Sequence, residues 1–96
     1  PPAFAKHRAA LRNALKGYTR LNVKGLQRIK KGGILFTFSC SQVVTKDIFR
    51  NAVFTAAAQV GRKVRILHQL HQPADHPINI YHPEGEYLKG LVLYVE

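Results

Sequence analysis

Acidic residues are scarce in this chain. Five Asp and Glu stand against fifteen Lys and Arg, giving a formal charge of +10 on 96 residues. That balance favours a polyanionic partner, nucleic acid ahead of an anionic membrane surface; the plain alternative is a basic surface with no partner. Cysteine is scarcer still. Cys40 is alone, which excludes an intramolecular disulfide and, with no signal-like apolar segment at the start, implies a reducing, cytoplasmic setting. No apolar run approaches the roughly 20 residues of a membrane-spanning helix. No glycine-rich phosphate loop of the nucleotide-binding type occurs. Internal repeats, low-complexity tracts and linkers are also missing, so the chain is one small domain or part of one.

What is present is organised around Gly33-Ile34-Leu35-Phe36-Thr37-Phe38-Ser39-Cys40-Ser41. Two glycines lead into a short run that is apolar at both alternating positions. Such a run predicts a strand buried on both faces, as in a parallel α/β sheet. It stops at Ser-Cys-Ser, and the carboxyl ends of strands are where open α/β sheets bind ligands. Before it, Leu11, Leu15, Tyr18, Asn22, Leu26 and Ile29 step by three or four and predict one face of a helix from Lys6 to about Ile29. Asn22 on that face is either a buried, hydrogen-bonded residue or a pocket-lining one. Arg8, Arg12, Lys16, Arg20, Lys24 and Arg28 recur every four residues, a row that drifts by roughly 40° a step around the helix. The row is either an ordinary solvated face or a surface toward RNA. Lys30-Lys31-Gly32-Gly33 ends the helix with cations and a glycine cap.

A second helix is predicted from a Thr45 cap to Val60, with Phe49, Ala52, Val53, Ala56 and Val60 inward and Gly61 as its stop. Val64–Leu70 and Tyr87–Val95 read as two further strands. They are separated by a proline-broken loop from Gln72 to Gly85 with no helix, which predicts an antiparallel hairpin. Helix, strand, helix, strand, strand is half of a doubly wound α/β sheet. Its first strand is left with an unpaired edge and exposed faces, to be covered by a larger protein or a second copy. The opening Pro1-Pro2-Ala3-Phe4, with no Met before it, suits a loop leaving a strand and suggests a fragment whose preceding strand is absent.

Chemically, Cys40 is either a packing residue or a nucleophile. It follows the strand instead of lying within it, is flanked by Ser39 and Ser41, and shortly precedes a helix amino terminus in a basic chain, all of which favour a thiolate. His68, His71, Asp75, His76 and His82 raise the question of a metal. His68 and His71 are an odd number of residues apart, so a strand puts them on opposite faces, and there is no second cysteine; no metal is expected. A Cys–His hydrolase would need His76 or His82 near Cys40.

In order along the chain, Pro1-Pro2-Ala3-Phe4-Ala5-Lys6, Lys31-Gly32-Gly33, Ser39-Cys40-Ser41, Asp75-His76-Pro77 and His82-Pro83-Glu84 followed by Tyr87-Leu88-Lys89 resemble the carboxyl-terminal part of bacterial S-adenosylmethionine-dependent methyltransferases. The subfamily is the one that contains the large-subunit (23S) rRNA cytosine-C5 methyltransferase. The resemblance covers essentially the whole chain. It implies the carboxyl-terminal half of a Rossmann-like methyltransferase sheet, with residues 1–96 part of one domain whose cofactor-binding half lies outside them. The family's aspartate before Pro-Pro-Ala-Phe is missing, as are the cofactor loop and an amino-terminal RNA-binding domain, so the segment alone is expected to be inactive and to bind S-adenosylmethionine poorly.

The resemblance further implies Cys40 as the nucleophile and Pro1, Pro2 and Phe4 beside the cofactor. It makes Ala3, Lys6, Arg8, Arg12, Ser39 and Ser41 candidates for the RNA side, with Pro2, Ala3 and Phe4 walling cofactor and base, and Lys6, Arg8 and Arg12 meeting phosphates. The expected partner is RNA, with no membrane, no metal, and a homodimer possible through the open sheet edge. Related families with similar proline motifs methylate guanine without a cysteine here; Ser39-Cys40-Ser41 points to cytosine. The rivals are a methyltransferase of another base or substrate, and a non-enzymatic basic RNA-binding module.

Overall fold

The computed structural model describes residues 2–41, 43–71 and 88–96. The chain runs α1 (Pro2–Arg28), β1 (Gly33–Ser39), α2 (Lys46–Val60), β2 (Val64–His71) and β3 (Lys89–Val95). The order is the one predicted from the pattern. The Gln72–Gly85 loop and Tyr87 lie outside the described residues.

Helix α1 starts four residues before the expected Lys6. Pro2 opens the helix, where its missing N–H is one that no helical carbonyl would have accepted, so proline fits there without breaking the pattern. The loop expected at Pro2 is thereby corrected; Pro1 lies outside the described residues. Leu26 is fully buried, and Leu11, Ala14, Tyr18, Val23 and Ile29 pack against the core from the same face. The chain turns at Gly32, whose φ of 81° is left-handed and therefore suits a residue without Cβ.

The three strands form one sheet in the order β1-β3-β2. Strand β3 pairs antiparallel with both neighbours: Ser39 stands opposite Lys89 and Gly33 opposite Val95 on one side, His71 opposite Lys89 and Val64 opposite Val95 on the other. The predicted β2–β3 antiparallel pairing holds. The parallel pairing implied for β1 is not found among the described residues, because β3 arrives without a crossover helix and inserts between β1 and β2 in the reverse direction. Leu67 is an extra residue in the β2 ladder, between the Ile66 and His68 pairings, which makes it a bulge.

Both helices pack on one face of the sheet. Phe49, Val53, Val44, Leu91 and Leu93 form the larger core cluster, and Leu26, Ala56 and Val95 a second. Tyr18 meets Phe49 edge to face, with ring centroids 5.7 Å apart. Truncating a buried aromatic such as Phe49 to alanine costs roughly 3–5 kcal/mol in comparable cores. The opposite face of β1 carries Ile34, Phe36 and Phe38, all exposed. Among the described residues β1 is covered on one face only, in keeping with the exposed faces expected of three strands alone. Among the described residues β1 also keeps a free edge, at one end of the order β1-β3-β2.

Candidate functional site

The site is the carboxyl end of β1. The strand ends at Ser39, Cys40 follows it, and Cys40 is a free, exposed thiol. Its neighbours are tied down. Ser39 is 2% exposed, and its Oγ accepts a hydrogen bond from the Ser41 N–H at 3.3 Å. The Ser41 carbonyl accepts from the Val44 N–H at 3.3 Å and from the Lys89 Nζ at 2.8 Å. Val44 is fully buried in the main core. The backbone is thus anchored on both sides of Cys40 while the cysteine itself points outward.

Helix α2 begins just beyond this turn. Thr45 caps it, its Oγ1 accepting from the Ile48 N–H at 3.2 Å, as the sequence predicts. At the other end Gly61 takes the left-handed conformation, and its N–H donates to the Ala57 and Ala58 carbonyls.

Lys89 enters the sequence reading only within the Tyr87-Leu88-Lys89 motif, with no role assigned to it. It stands across from Ser39 in the ladder and is only 6% exposed. Burial pushes its ammonium below the ordinary lysine value of 10.5, and Cys40, close enough to act on it electrostatically, works in the opposite sense. The available signal was a lysine inside an otherwise apolar strand, since burial of a lysine usually requires a partner.

Helix α1 brings its cations to the same region only in part. Leu11 and Ala14 pack with the cluster that includes Val44, so the first half of α1 runs past the Cys40 end of the sheet. Lys6, Arg8 and Arg12 are exposed on that half, and Lys16, Arg20, Lys24 and Arg28 on the rest. Pro2, Ala3 and Phe4 form its first turn. Asn22 is 2% exposed and its Nδ2 donates to the Tyr18 carbonyl at 2.8 Å, so it is the buried, hydrogen-bonded residue of the two readings. His68 and His71 fall on opposite faces of β2, with no bulge between them. Asp75, His76 and His82 lie outside the described residues, and among the described residues no cluster of three potential metal ligands occurs. No described helix is long and apolar enough to cross a membrane.

No family model matches the chain. Curated relatives do. Ribosomal RNA large subunit methyltransferase I of Alteromonas mediterranea is 45% identical over 95 residues, covering 99% of this chain and 24% of the relative. The proteins of the same name from Cronobacter sakazakii and Shewanella denitrificans are 43% and 44% identical over the same shares. The chain thus spans about a quarter of the length of the curated relatives it matches. Among solved structures, SMU.776, a provisionally assigned methyltransferase crystallised in complex with SAH, superposes with a TM-score of 0.73 at 20% identity, over 83% of this chain and 20% of that one. The fold is accordingly α/β and shared with a portion of a methyltransferase, consistent with the expected half of a Rossmann-like sheet. Over nearly its whole length the chain is similar to about one quarter of proteins named ribosomal RNA large subunit methyltransferase I, in line with the resemblance of its motifs.

Proposed function

We propose that residues 1–96 are the carboxyl-terminal part of an S-adenosylmethionine-dependent methyltransferase domain. The whole protein would methylate carbon 5 of a cytosine in large-subunit (23S) rRNA, in the cytoplasm, with Cys40 as nucleophile. The observation that carries this reading is the exposed thiol at the carboxyl end of β1, in a chain 45% identical to a large-subunit rRNA methyltransferase.

The chemistry explains why a thiol belongs there. Carbon 5 of cytosine is a weak nucleophile. Addition of the Cys40 thiolate to carbon 6 forms a carbon–sulfur bond and moves electron density to carbon 5, which can then accept a methyl group. Loss of the carbon-5 proton restores the double bond and expels the thiolate. One difficult step becomes two easier ones. The base must be unstacked to reach a thiol at a protein surface. When bound, the cofactor supplies an electrophilic methyl on sulfonium.

This segment would form only one wall of the cofactor site, from Pro1, Pro2 and Phe4. Its described glycines lie within helix α1, at helix ends and in strands, and none builds a phosphate-cradling loop. Ala3, Ser39 and Ser41 would border the base. Lys6, Arg8 and Arg12, exposed on the half of α1 nearest Cys40, would meet phosphates. The free edge of β1 would pair with another strand of the protein or with a second copy.

The test is made on the full-length protein. Cys40→Ser should abolish release of C5-methylated product from large-subunit rRNA, with the modified nucleotide located by mass spectrometry. Unchanged methylation by the variant rejects Cys40 as nucleophile. A methyl group found on another base rejects the cytosine assignment. Salt-dependent RNA binding without any methyl transfer by the wild-type protein would favour a basic RNA-binding module instead.

A further inference from the structure

The geometry points to Lys89 as the positioning residue for Cys40: a buried cation on the middle strand that fixes the turn bearing the thiol and sets a positive charge where the thiolate must form. The inference rests on the reading of Cys40 as nucleophile. It concerns how that nucleophile is prepared.

Three observations converge. First, the ladder pairs Lys89 with Ser39, the residue before the cysteine, so the lysine reaches this turn from the neighbouring strand and not from a distant loop. Second, its Nζ donates to the Ser41 carbonyl, the residue after the cysteine, at 2.8 Å. The lysine thus grips both sides of Cys40, one through the backbone ladder and one through its side chain. Third, it is almost wholly buried at 6% exposure, whereas Cys40 is exposed. Burial disfavours this ammonium while Cys40 acts on it in the opposite sense, so the lysine supplies a positive charge beside the thiol that a neutral donor could not.

Other charged groups share its surroundings. His71 stands opposite Lys89 on β2, and Lys46, Asp47 and Arg50 of α2 line the same small groove. Any pH profile of the thiol carries their contributions too, so His71→Gln and Asp47→Asn serve as controls.

The experiment measures alkylation of Cys40 by iodoacetamide in the full-length protein, followed at the Cys40 peptide by mass spectrometry across the neutral and mildly alkaline range. Lys89 acts on Cys40 electrostatically, and one unit charge acting on a solvent-facing sulfur changes a thiolate population by up to about fivefold. Lys89→Gln, which keeps a donor and loses the charge, should slow alkylation at neutral pH by about that factor and move the profile toward higher pH. Lys89→Arg should restore most of the rate. The His71 and Asp47 controls should shift the profile less. A Lys89→Gln profile that superimposes on wild type, with native circular dichroism, overturns the inference, because the hydrogen bond alone would then suffice. If Lys89→Gln does not fold, Lys89→Met, which retains the stem's packing but loses donor and charge together, must slow alkylation at least as much, and a Lys89→Met profile that superimposes on wild type overturns the inference. The outcomes separate from those of methyl transfer. A charge-dependent profile in a protein that transfers no methyl supports Lys89 and rejects the proposed function; superimposed profiles reject Lys89 whatever the methylation result.

Discussion

Arg62 should be worth more to this fold than any other surface-lying cation in it. It follows the Gly61 cap of α2 and is half-buried. Its Nη1 donates to the Leu26 carbonyl at 2.8 Å and also to the Ile29 carbonyl, and its Nε donates to the Glu96 carbonyl at 3.3 Å. Leu26 lies in the last turn of α1, where carbonyls run out of helical partners. One guanidinium therefore completes the end of α1, ties it to the start of β2, and holds the residue after β3. Hydrogen bonds from a charged donor contribute about 1.5–3 kcal/mol each, and a cation at a helix carboxyl terminus up to about 1 kcal/mol more. The three bonds share one half-exposed group, so their sum overstates the effect, and Arg62→Ala should cost about 2–3 kcal/mol. With a urea slope of about 1 kcal/mol/M for a small domain, the unfolding midpoint should fall by about 2–3 M. Circular dichroism in urea reads it directly. Arg62→Lys should recover less than half, because an ammonium cannot span acceptors on two elements. The comparison is Arg65, three residues on. It pairs with the Glu96 carboxylate at 3.0 Å but is 74% exposed, so Arg65→Ala should change stability by at most about 0.5 kcal/mol. A midpoint for Arg62→Ala within about 0.5 M of wild type, or equal losses for Arg62 and Arg65, would refute the reasoning.

Thr45→Ala should destabilise the chain by about 1 kcal/mol through loss of the α2 cap, and Thr45→Ser should restore it; thermal melts decide. A Cβ at Gly90 would lie 2.5 and 2.6 Å from ring atoms of Phe38, and since Phe38 is half-exposed and can swing aside, Gly90→Ala should cost about 1–2 kcal/mol. That cost should shrink in a Phe38→Ala background, and additivity in the double-mutant cycle would count against the clash. The lowered Lys89 value gives a pH dependence with a definite sign. Between the folded value and 10.5 the unfolded chain holds a proton that the folded chain has released, so stability should rise with pH across that window and level off above it. Measured as wild type minus Lys89→Met, the difference should show this rise; a flat difference would show that burial does not disfavour the ammonium.

The elements were legible because each is written in local chemistry. Leu11, Tyr18, Leu26 and Ile29 at helical spacing, the Thr45 cap and the Gly61 stop all act within a few residues of themselves. The strand ending at Cys40 was legible for the same reason: apolar residues stop where Ser-Cys-Ser begins. What the sequence could not show depends on partners far along the chain. Whether β1 is covered on both faces depends on what packs over Ile34, Phe36 and Phe38, and no periodicity within β1 encodes that. Arg62 looks like one more basic residue after a helix, because its acceptors are backbone carbonyls that carry no side-chain signature. Lys89 looks like an interruption in an apolar strand until the register sets it across from Ser39. Pro2 was misleading because proline breaks a helix in its interior and suits its first turn, and only the backbone tells which applies.

The half-buried Arg62 and the buried Lys89 sit at opposite ends of the sheet. Arg62 secures the end where β1 starts, at Gly33 opposite Val95, while Lys89 serves the end where β1 stops. The hydrogen bonds of Arg62 to Leu26, Ile29 and Glu96 lie at the other end of the sheet from that of Lys89 to Ser41, so their energetics should be independent. Loss of Arg62 removes three backbone bonds and should lower stability, yet leave the alkylation profile of Cys40 unchanged while the chain remains folded. Lys89→Gln relieves the desolvated ammonium and loses its electrostatic interactions while keeping a donor, terms of opposite sign, so its stability cost should be small and its effect should appear in the thiol. The double variant Arg62→Ala with Lys89→Gln should therefore show the stability of the first and the reactivity of the second. A coupling above about 0.5 kcal/mol in stability, or an altered thiol profile in Arg62→Ala alone, would mean that the sheet transmits strain from one end to the other and that the two roles cannot be divided in this way.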